Sequence, residues 1–307
     1  MNERITAGDT TMVAFDVAGP VSELRDQVDK VLADTGVVLL RGLGVETPER
    51  FHEVVAHFGD PLTSYRGGNT PRSKVADGVF TSTEYPPEYE ISLHNELSYA
   101  GEWPRRLFFS CLLEPATGGA TPVCDGRALL GALDPEVRDR FVTRGVTYRQ
   151  HLHGGFGLGK SWQQTFETED RSEVESFLTE AGLEFSWTDD GGLRTASTRP
   201  AVRTAPTTGE TVWFNQADQW HPTNLPPAER EALLDLYDDE ADLPHSATYG
   251  DGSPIPASDL DAVRAAAKRH ELAHPWHRGD VMIVENMLAL HGRQPFTGSR
   301  RVLVSMT

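Results

Sequence analysis

Short strand-like segments recur along the whole chain, and this constrains its fold more than any other feature. "VVLLRGL" (37–43), "RRLFFSCLL" (105–113), "ATPVCDG" (120–126), "GVTYRQHLH" (145–153), "GETVWFNQA" (209–217), "GDVMIVENMLALHG" (279–292) and "RRVLVSMT" (300–307) are rich in β-branched, aromatic or aliphatic residues and are separated by Gly and Pro. Such spacing predicts a mainly β fold, a double-sheet core with flanking helices. Because β signals stand near both ends, the whole span 1–307 is read as a single domain with helical insertions. A chain of this length buries roughly three-quarters of its unfolded surface, so it needs no covalent staples. Its two cysteines, Cys111 and Cys124, lie too far apart for a CxxC motif and are expected to pack.

The helical pattern is local. In "SELRDQVDKVLADTG" the residues Leu24, Val28 and Leu32 share one helical face, and Gly36 ends the run. Thr47 and Pro48 have the character of an N-cap and a first helical residue, for a helix reaching about Phe58. Asp134-Pro135 and Ser172-x-x-Glu175 read as further helix starts, and two helical insertions are expected near 227–236 and 257–271.

Composition excludes some functions. The net charge of −18 opposes binding to nucleic acid and to anionic lipid, although a pocket can still be locally basic. No window approaches the ~18 apolar residues of a membrane span, and the N-terminus shows no signal-peptide core. A cytoplasmic protein acting on a small molecule is the expectation.

The chemistry concentrates in "SLHNELSY" (92–99). On a strand, residues i and i+2 share a face, so His94 and Glu96 would project together with Asn95 turned away. Two histidines and one carboxylate form the facial set that holds Fe(II) and leaves positions open for substrate and oxygen. His291 is the best third ligand, because Arg300 and Arg301 follow it and an arginine there could fork a dicarboxylate. A lone His-x-Glu is usually accidental; the pair, the distant histidine and the trailing arginines together are far more specific. His151-Leu152-His153 is a rival pair but has no carboxylate at i+2 or i+4. His52 and His57 fall on a predicted helix, and His274 and His277 flank Trp276; all four have bland readings as packing or surface residues.

Taken together, "LHNELSYAGEWPRRLFFSCLLEPATGGATPVCDGR", "TGETVWFNQA", "YGDGSPI" and "GDVMIVENMLALHGRQPFTGSRRVLV" resemble the taurine dioxygenase (TauD/TfdA) family of Fe(II)- and 2-oxoglutarate-dependent oxygenases. The resemblance runs from about residue 36 to the C-terminus and is nearest the syringomycin-type amino-acid hydroxylase branch. It implies a double-stranded β-helix, or jelly-roll, core of the clavaminate synthase-like kind. It implies His94, Glu96 and His291 as iron ligands, with Thr121 and an arginine of the 300–301 pair holding 2-oxoglutarate. Arg301 is preferred over Arg300, because the second arginine is the family's usual ligand. The expected reaction is hydroxylation of an amino acid or amino-acid derivative, free or tethered to a carrier protein, in natural-product biosynthesis, with O2 consumed and succinate and CO2 released. Desaturation or cyclisation by the same cofactors is the alternative. The position of the sulfonate-gripping arginine of the taurine enzyme is Ser305 here, so taurine is not expected, and the presence of Glu96 argues against halogenation.

Substrate contacts are sought in the loop "TSYRGGNTPRSKV" (63–75), with Arg66 and Arg72, and in Asn95, Tyr99 and Glu84. Trp213, Phe214 and Asn215 are expected to pack. Two readings from other classes compete: a non-catalytic jelly-roll binding protein with a structural His-x-Glu, and a zinc hydrolase, for which no separate general base stands at a recognisable spacing.

Overall fold

The computed structural model describes residues 2–68, 72–83, 85–237 and 242–307. The largest sheet has eight strands in the order Asn2–Ala7, Thr10–Asp16, Val37–Arg41, Val281–Glu285, Arg106–Leu113, Arg301–Met306, Val79–Thr81 and Lys74–Ala76. Segments from both ends of the chain therefore meet in one sheet. Every pairing in it is antiparallel except that of Thr10–Asp16 with Val37–Arg41.

The continuous apolar runs have a simple cause: this sheet is covered on both faces. Val37 and Leu39 belong to the core between the sheets, together with Phe109, Cys111, Met282, Val302 and Val304. The alternate residues Val38 and Leu40, with Phe108, Ile283 and Leu303, meet Val28, Leu32, Phe51, Val54 and Val55 on the outer side. Those last five come from the helices Arg25–Thr35 and Pro48–Ala56, so the predicted apolar stripes are the faces that cover the sheet. The first helix stops at Gly36, whose φ of +73° suits glycine. Thr47 caps the second by accepting the Arg50 N–H at 3.2 Å.

Opposite the large sheet, Ile91–His94, Ala289–Arg293 and Val123–Asp125 form a three-stranded sheet. A four-stranded sheet of Glu184–Trp187, Leu193–Arg199, Val146–Leu152 and His245–Tyr249 extends the β structure. The architecture is mainly β, a jelly-roll core with helices outside. Both cysteines are buried and free on different strands, and burial pushes their thiols up to about 11 (Cys111) and about 12 (Cys124).

Two boundaries differ from the sequence reading. The helix expected from Ser172 spans Arg171–Glu180, because the Asp170 carboxylate is the stronger cap and accepts the Ser172 N–H at 2.8 Å. "GETVWFNQA" yields only the strand Thr211–Trp213 before a short helix at Ala217–Trp220, and Trp213, Phe214 and Asn215 are buried as expected.

Candidate metal centre and the cavities beside it

Strand register assembles two-thirds of the centre. Ile91–His94 runs antiparallel to Ala289–Arg293, with His94 directly opposite His291. Directly opposed residues put their side chains on one face of the ladder. The two imidazole centroids are accordingly 4.3 Å apart.

Glu96 arrives by a different route from the one expected. The strand ends at His94 and the chain turns, with Leu97 in the left-handed region at φ 53°. No period-2 relation holds between His94 and Glu96. Asn286 holds the turn instead: its Oδ1 accepts the Glu96 N–H at 2.8 Å, and its Nδ2 donates to the Glu96 carbonyl at 3.0 Å and the Pro104 carbonyl at 2.9 Å. The result still brings the three groups together. Glu96 Oε2 lies 3.5 Å from His291 Nε2 and 3.9 Å from His94 Nε2, and one ligand atom from each of the three residues lies within 4.8 Å of the others.

The electrostatics suit a cation. Burial, reinforced by the neighbouring His291, pulls the His94 pKa down to about 3, so its ring is neutral near pH 7. Its Nδ1 stands 2.9 Å from the Ser92 carbonyl, and with the proton there Nε2 keeps its lone pair toward Glu96. Burial pushes the Glu96 carboxyl up, but the Arg72 guanidinium and the two imidazoles outweigh it and hold Glu96 well below the usual carboxylate range. Arg72 Nη2 donates to Oε2 at 2.8 Å, while the Tyr65 hydroxyl donates to Oε1. Two imidazoles and one carboxylate, all buried, form a donor set that fits Fe(II).

Gln219 supports His94 from behind. Its Nε2 lies 2.9 Å from His94 Nδ1 and donates to the Ser92 carbonyl at 3.3 Å, the same carbonyl that faces Nδ1. Gln216 in turn donates to Gln219 Oε1 at 2.8 Å. The Ser92 carbonyl, held by Gln219, is thus the acceptor that orients the His94 imidazole, and losing such support typically weakens metal binding about 10- to 100-fold. Gln219→Leu is expected to weaken binding by that factor when metal-free protein is titrated with Mn(II); an unchanged affinity would remove Gln219 from this role.

A narrow pocket of about 30 Å³ adjoins the trio, with Arg72, Thr121, Arg293 and Arg300 in its wall. The arginine that enters it is Arg300, which corrects the preference for Arg301. Arg300 Nε donates to the Gly119 carbonyl at 2.8 Å, and Nη2 lies 3.4 Å from Thr121 Oγ1. Burial, with Arg293 nearby, lowers the Arg300 pKa to about 10. Arg301 is exposed on the strand Arg301–Met306. Alternation explains the difference: Arg300 shares its phase with Val302, which packs between the sheets, whereas Arg301 shares the phase of Leu303, which packs on the outer side.

A larger chamber of about 750 Å³ has Tyr65, Arg66, Leu97, Tyr99, Tyr148 and Trp220 among its walls. Tyr99 stacks on Trp220 at 4.6 Å and its hydroxyl donates to the Gly67 carbonyl at 3.3 Å. Of the expected substrate contacts, Arg66 and Tyr99 line this chamber and Arg72 lies beside Glu96. Asn95 does not qualify: it is fully buried away from both cavities, and its Nδ2 donates to the Asn286 carbonyl at 2.7 Å. Glu84 lies outside the described residues.

The rival histidines are elsewhere. His151 Nδ1 faces the Asp242 carbonyl at 3.3 Å, and His153 Nδ1 accepts the Gly155 N–H at 3.1 Å. His52 faces the Asp77 carbonyl, His274 sits beside Arg41, and His277 is exposed near Glu114.

Residues 5–307 match the family described as "Taurine catabolism dioxygenase TauD, TfdA family". The chain belongs to this family. The dapdiamide synthesis protein DdaC of Enterobacter agglomerans is 37% identical over 279 residues, covering 91% of this chain and 84% of the relative. A clavaminate synthase-like protein of Arabidopsis thaliana is 33% identical over 291 residues, covering 92% and 84% respectively. Among solved structures, PvcB of Pseudomonas aeruginosa superposes with a TM-score of 0.54 at 16% identity, over 96% of this chain and 84% of that one, a likeness of fold. The dioxygenase is thus of the type that uses Fe(II), 2-oxoglutarate and O2, and its His94–Glu96–His291 trio fits the metal. Among its described residues, no helix is long and apolar enough to cross a membrane.

Three participants escaped the sequence reading: Tyr65, Gln219 and Asn286. Each meets the centre across 31 or more residues of chain, and no periodic pattern marks such a contact.

Proposed function

We propose that this dioxygenase hydroxylates an unactivated C–H of an amino acid or amino-acid-derived substrate, free or tethered to a carrier protein, in natural-product biosynthesis. The observation that carries the reading is the convergence of His94, Glu96 and His291 between a basic pocket and an aromatic-walled chamber. The relative named for dapdiamide synthesis supports the biosynthetic setting.

His94 Nε2, Glu96 Oε2 and His291 Nε2 would hold Fe(II). When bound, iron and 2-oxoglutarate supply the oxidant that attacks an unactivated carbon, with succinate and CO2 released. The residues of the chain do the rest. Tyr65 engages Glu96 Oε1, so Oε2 is the oxygen turned to the imidazoles. Arg300 and the Thr121 hydroxyl, 3.4 Å apart, would take the far carboxylate of 2-oxoglutarate. A five-carbon diacid needs more than the present 30 Å³, so the pocket walls must part to admit it. The chamber's volume lies within the range of ligand sites and exceeds the need of a small free amino acid. Tyr99, Tyr148 and Trp220 make its walls apolar enough to exclude water around the reacting carbon.

The test is anaerobic. Fe(II) and then 2-oxoglutarate are added to metal-free wild-type protein and to His291→Ala, and visible spectra are recorded. A weak charge-transfer band in wild type only is the expected result. Its absence from both proteins would reduce the trio to a structural hydrogen-bonded cluster.

A further inference from the structure

We infer that the substrate carries a free carboxylate and that Arg66 is the residue that reads it; this rests on the reading above and narrows its substrate class.

Three arginines stand in the chamber wall: Arg66, Arg105 and Arg199. Two are engaged. Arg105 Nε donates to Glu285 Oε1 at 3.1 Å, and Arg199 Nη2 donates to the Ala181 carbonyl at 2.9 Å. Arg66 differs. Its side chain is 34% exposed, but Nε and Nη2 are shielded from water and have no hydrogen-bond partner among the described residues. Its one ion-pair neighbour among the described residues, Glu173, lies 3.9 Å from Nη2 and is itself 58% exposed, so water screens the pair.

Nε and Nη2 form one edge of the guanidinium. The same edge elsewhere in this chain shows what it is suited to hold: Arg140 grips both Asp259 oxygens through Nε and Nη2, each at 2.7 Å. A planar bidentate acceptor is the natural partner of that edge. A buried donor pair without an acceptor is costly, and such groups in folded chains usually mark a partner supplied from outside.

The placement fits a substrate role. The Arg66 guanidinium carbon lies 5.1 Å from the centroid of the Phe177 ring, a cation–π contact. The next residue, Gly67, donates its N–H to the Thr165 carbonyl at 2.9 Å, which ties the loop down. The preceding residue, Tyr65, touches Glu96. One short segment therefore joins a carboxylate grip to the metal centre, and it fixes how far the reacting carbon stands from the substrate's acid group. The charges agree: with Fe(II) and the 2-oxoglutarate dianion cancelling each other, and Glu96 balanced by Arg72, Arg300 and Arg66 leave the loaded site cationic.

The test reads the unfolding midpoint of the full chain loaded with Mn(II) and 2-oxoglutarate. The probes are the protein amino acids and their N-acetyl derivatives, each beside the corresponding primary carboxamide. A rise from Mn(II) and 2-oxoglutarate alone reports the underlying centre; its absence overturns that reading and this one with it. On the loaded protein, at least one acid is expected to raise the midpoint, with its amide binding about 100-fold more weakly or worse. Arg66→Gln should erase the difference, and Arg66→Lys, a charge without the fork, should restore only part of it. A midpoint raised by no acid, equal shifts from acid and amide, or a preference that survives in Arg66→Gln would each overturn the assignment while leaving the metal centre intact.

Discussion

Glu96→Ala is expected to abolish 2-oxoglutarate-dependent succinate release and, separately, to lower the stability of the metal-free protein. The first effect follows from the loss of the only carboxylate in the His94–Glu96–His291 trio. The second is particular to this structure. The Arg72 side chain is 3% exposed, and among the described residues its one ion pair is with Glu96. Its Nε and Nη1 already lack hydrogen-bond partners among the described residues. Removing the carboxylate leaves a buried cation uncompensated, a change that typically costs about 3–5 kcal/mol. Glu96→Gln keeps one acceptor oxygen for Arg72 and can turn its amide N–H to the Tyr65 hydroxyl, so it should lose activity with a smaller stability loss. Adding Arg72→Met to Glu96→Ala should recover stability without recovering activity, because the two effects have different origins. Thermal unfolding of the four proteins and a succinate assay check both halves. Succinate formation by Glu96→Ala would sink the metal assignment, and an undiminished midpoint would show that water reaches Arg72.

Arg300→Ala and Arg301→Ala should differ by orders of magnitude although the residues are neighbours. Arg300 is largely shut off from solvent, with one nitrogen near Thr121 and the others on Gly119 and Ser82. Losing a buried charge that pairs with a ligand carboxylate costs about 2–5 kcal/mol, which corresponds to a KM for 2-oxoglutarate raised roughly 30- to several-thousand-fold. Arg301 is exposed and faces away, so its removal should change that KM by no more than about twofold. Steady-state KM values for the two variants decide the matter. A large effect at Arg301 with a small one at Arg300 would mean that the terminal strand is shifted by one residue, since such a slip exchanges the two faces.

Those neighbours also show how far the sequence reaches. An arginine after the distal histidine was legible; which of two adjacent arginines enters the pocket was not. The answer depends on the phase of the strand Arg301–Met306 against Arg106–Leu113, and that pairing includes an irregularity between Arg301 and Val302. The His94–Glu96 pair was legible for a reason that did not hold. The two residues do converge, but through a turn locked by Asn286 and not through alternation on a strand. Asn95 fails as a substrate contact for the same cause: past the end of the strand, the turn carries it toward Asn286.

The sequence by itself determined the local elements and the chemical inventory. Apolar runs dictated a sheet covered on both faces, Gly36 and Thr47 marked helix ends, and two histidines with one glutamate and the trailing arginines specified what kind of centre this is. Periodicities of 2 and 3.6 record only what neighbours along the chain do. The tertiary structure alone decided that His94 faces His291 across a ladder, that Tyr65 and Arg72 divide the two oxygens of Glu96 between them, and that Gln219 backs His94. Contacts spanning from 24 to nearly 200 residues arise from strand register and sheet packing, and these are properties of the whole fold that no local spacing carries.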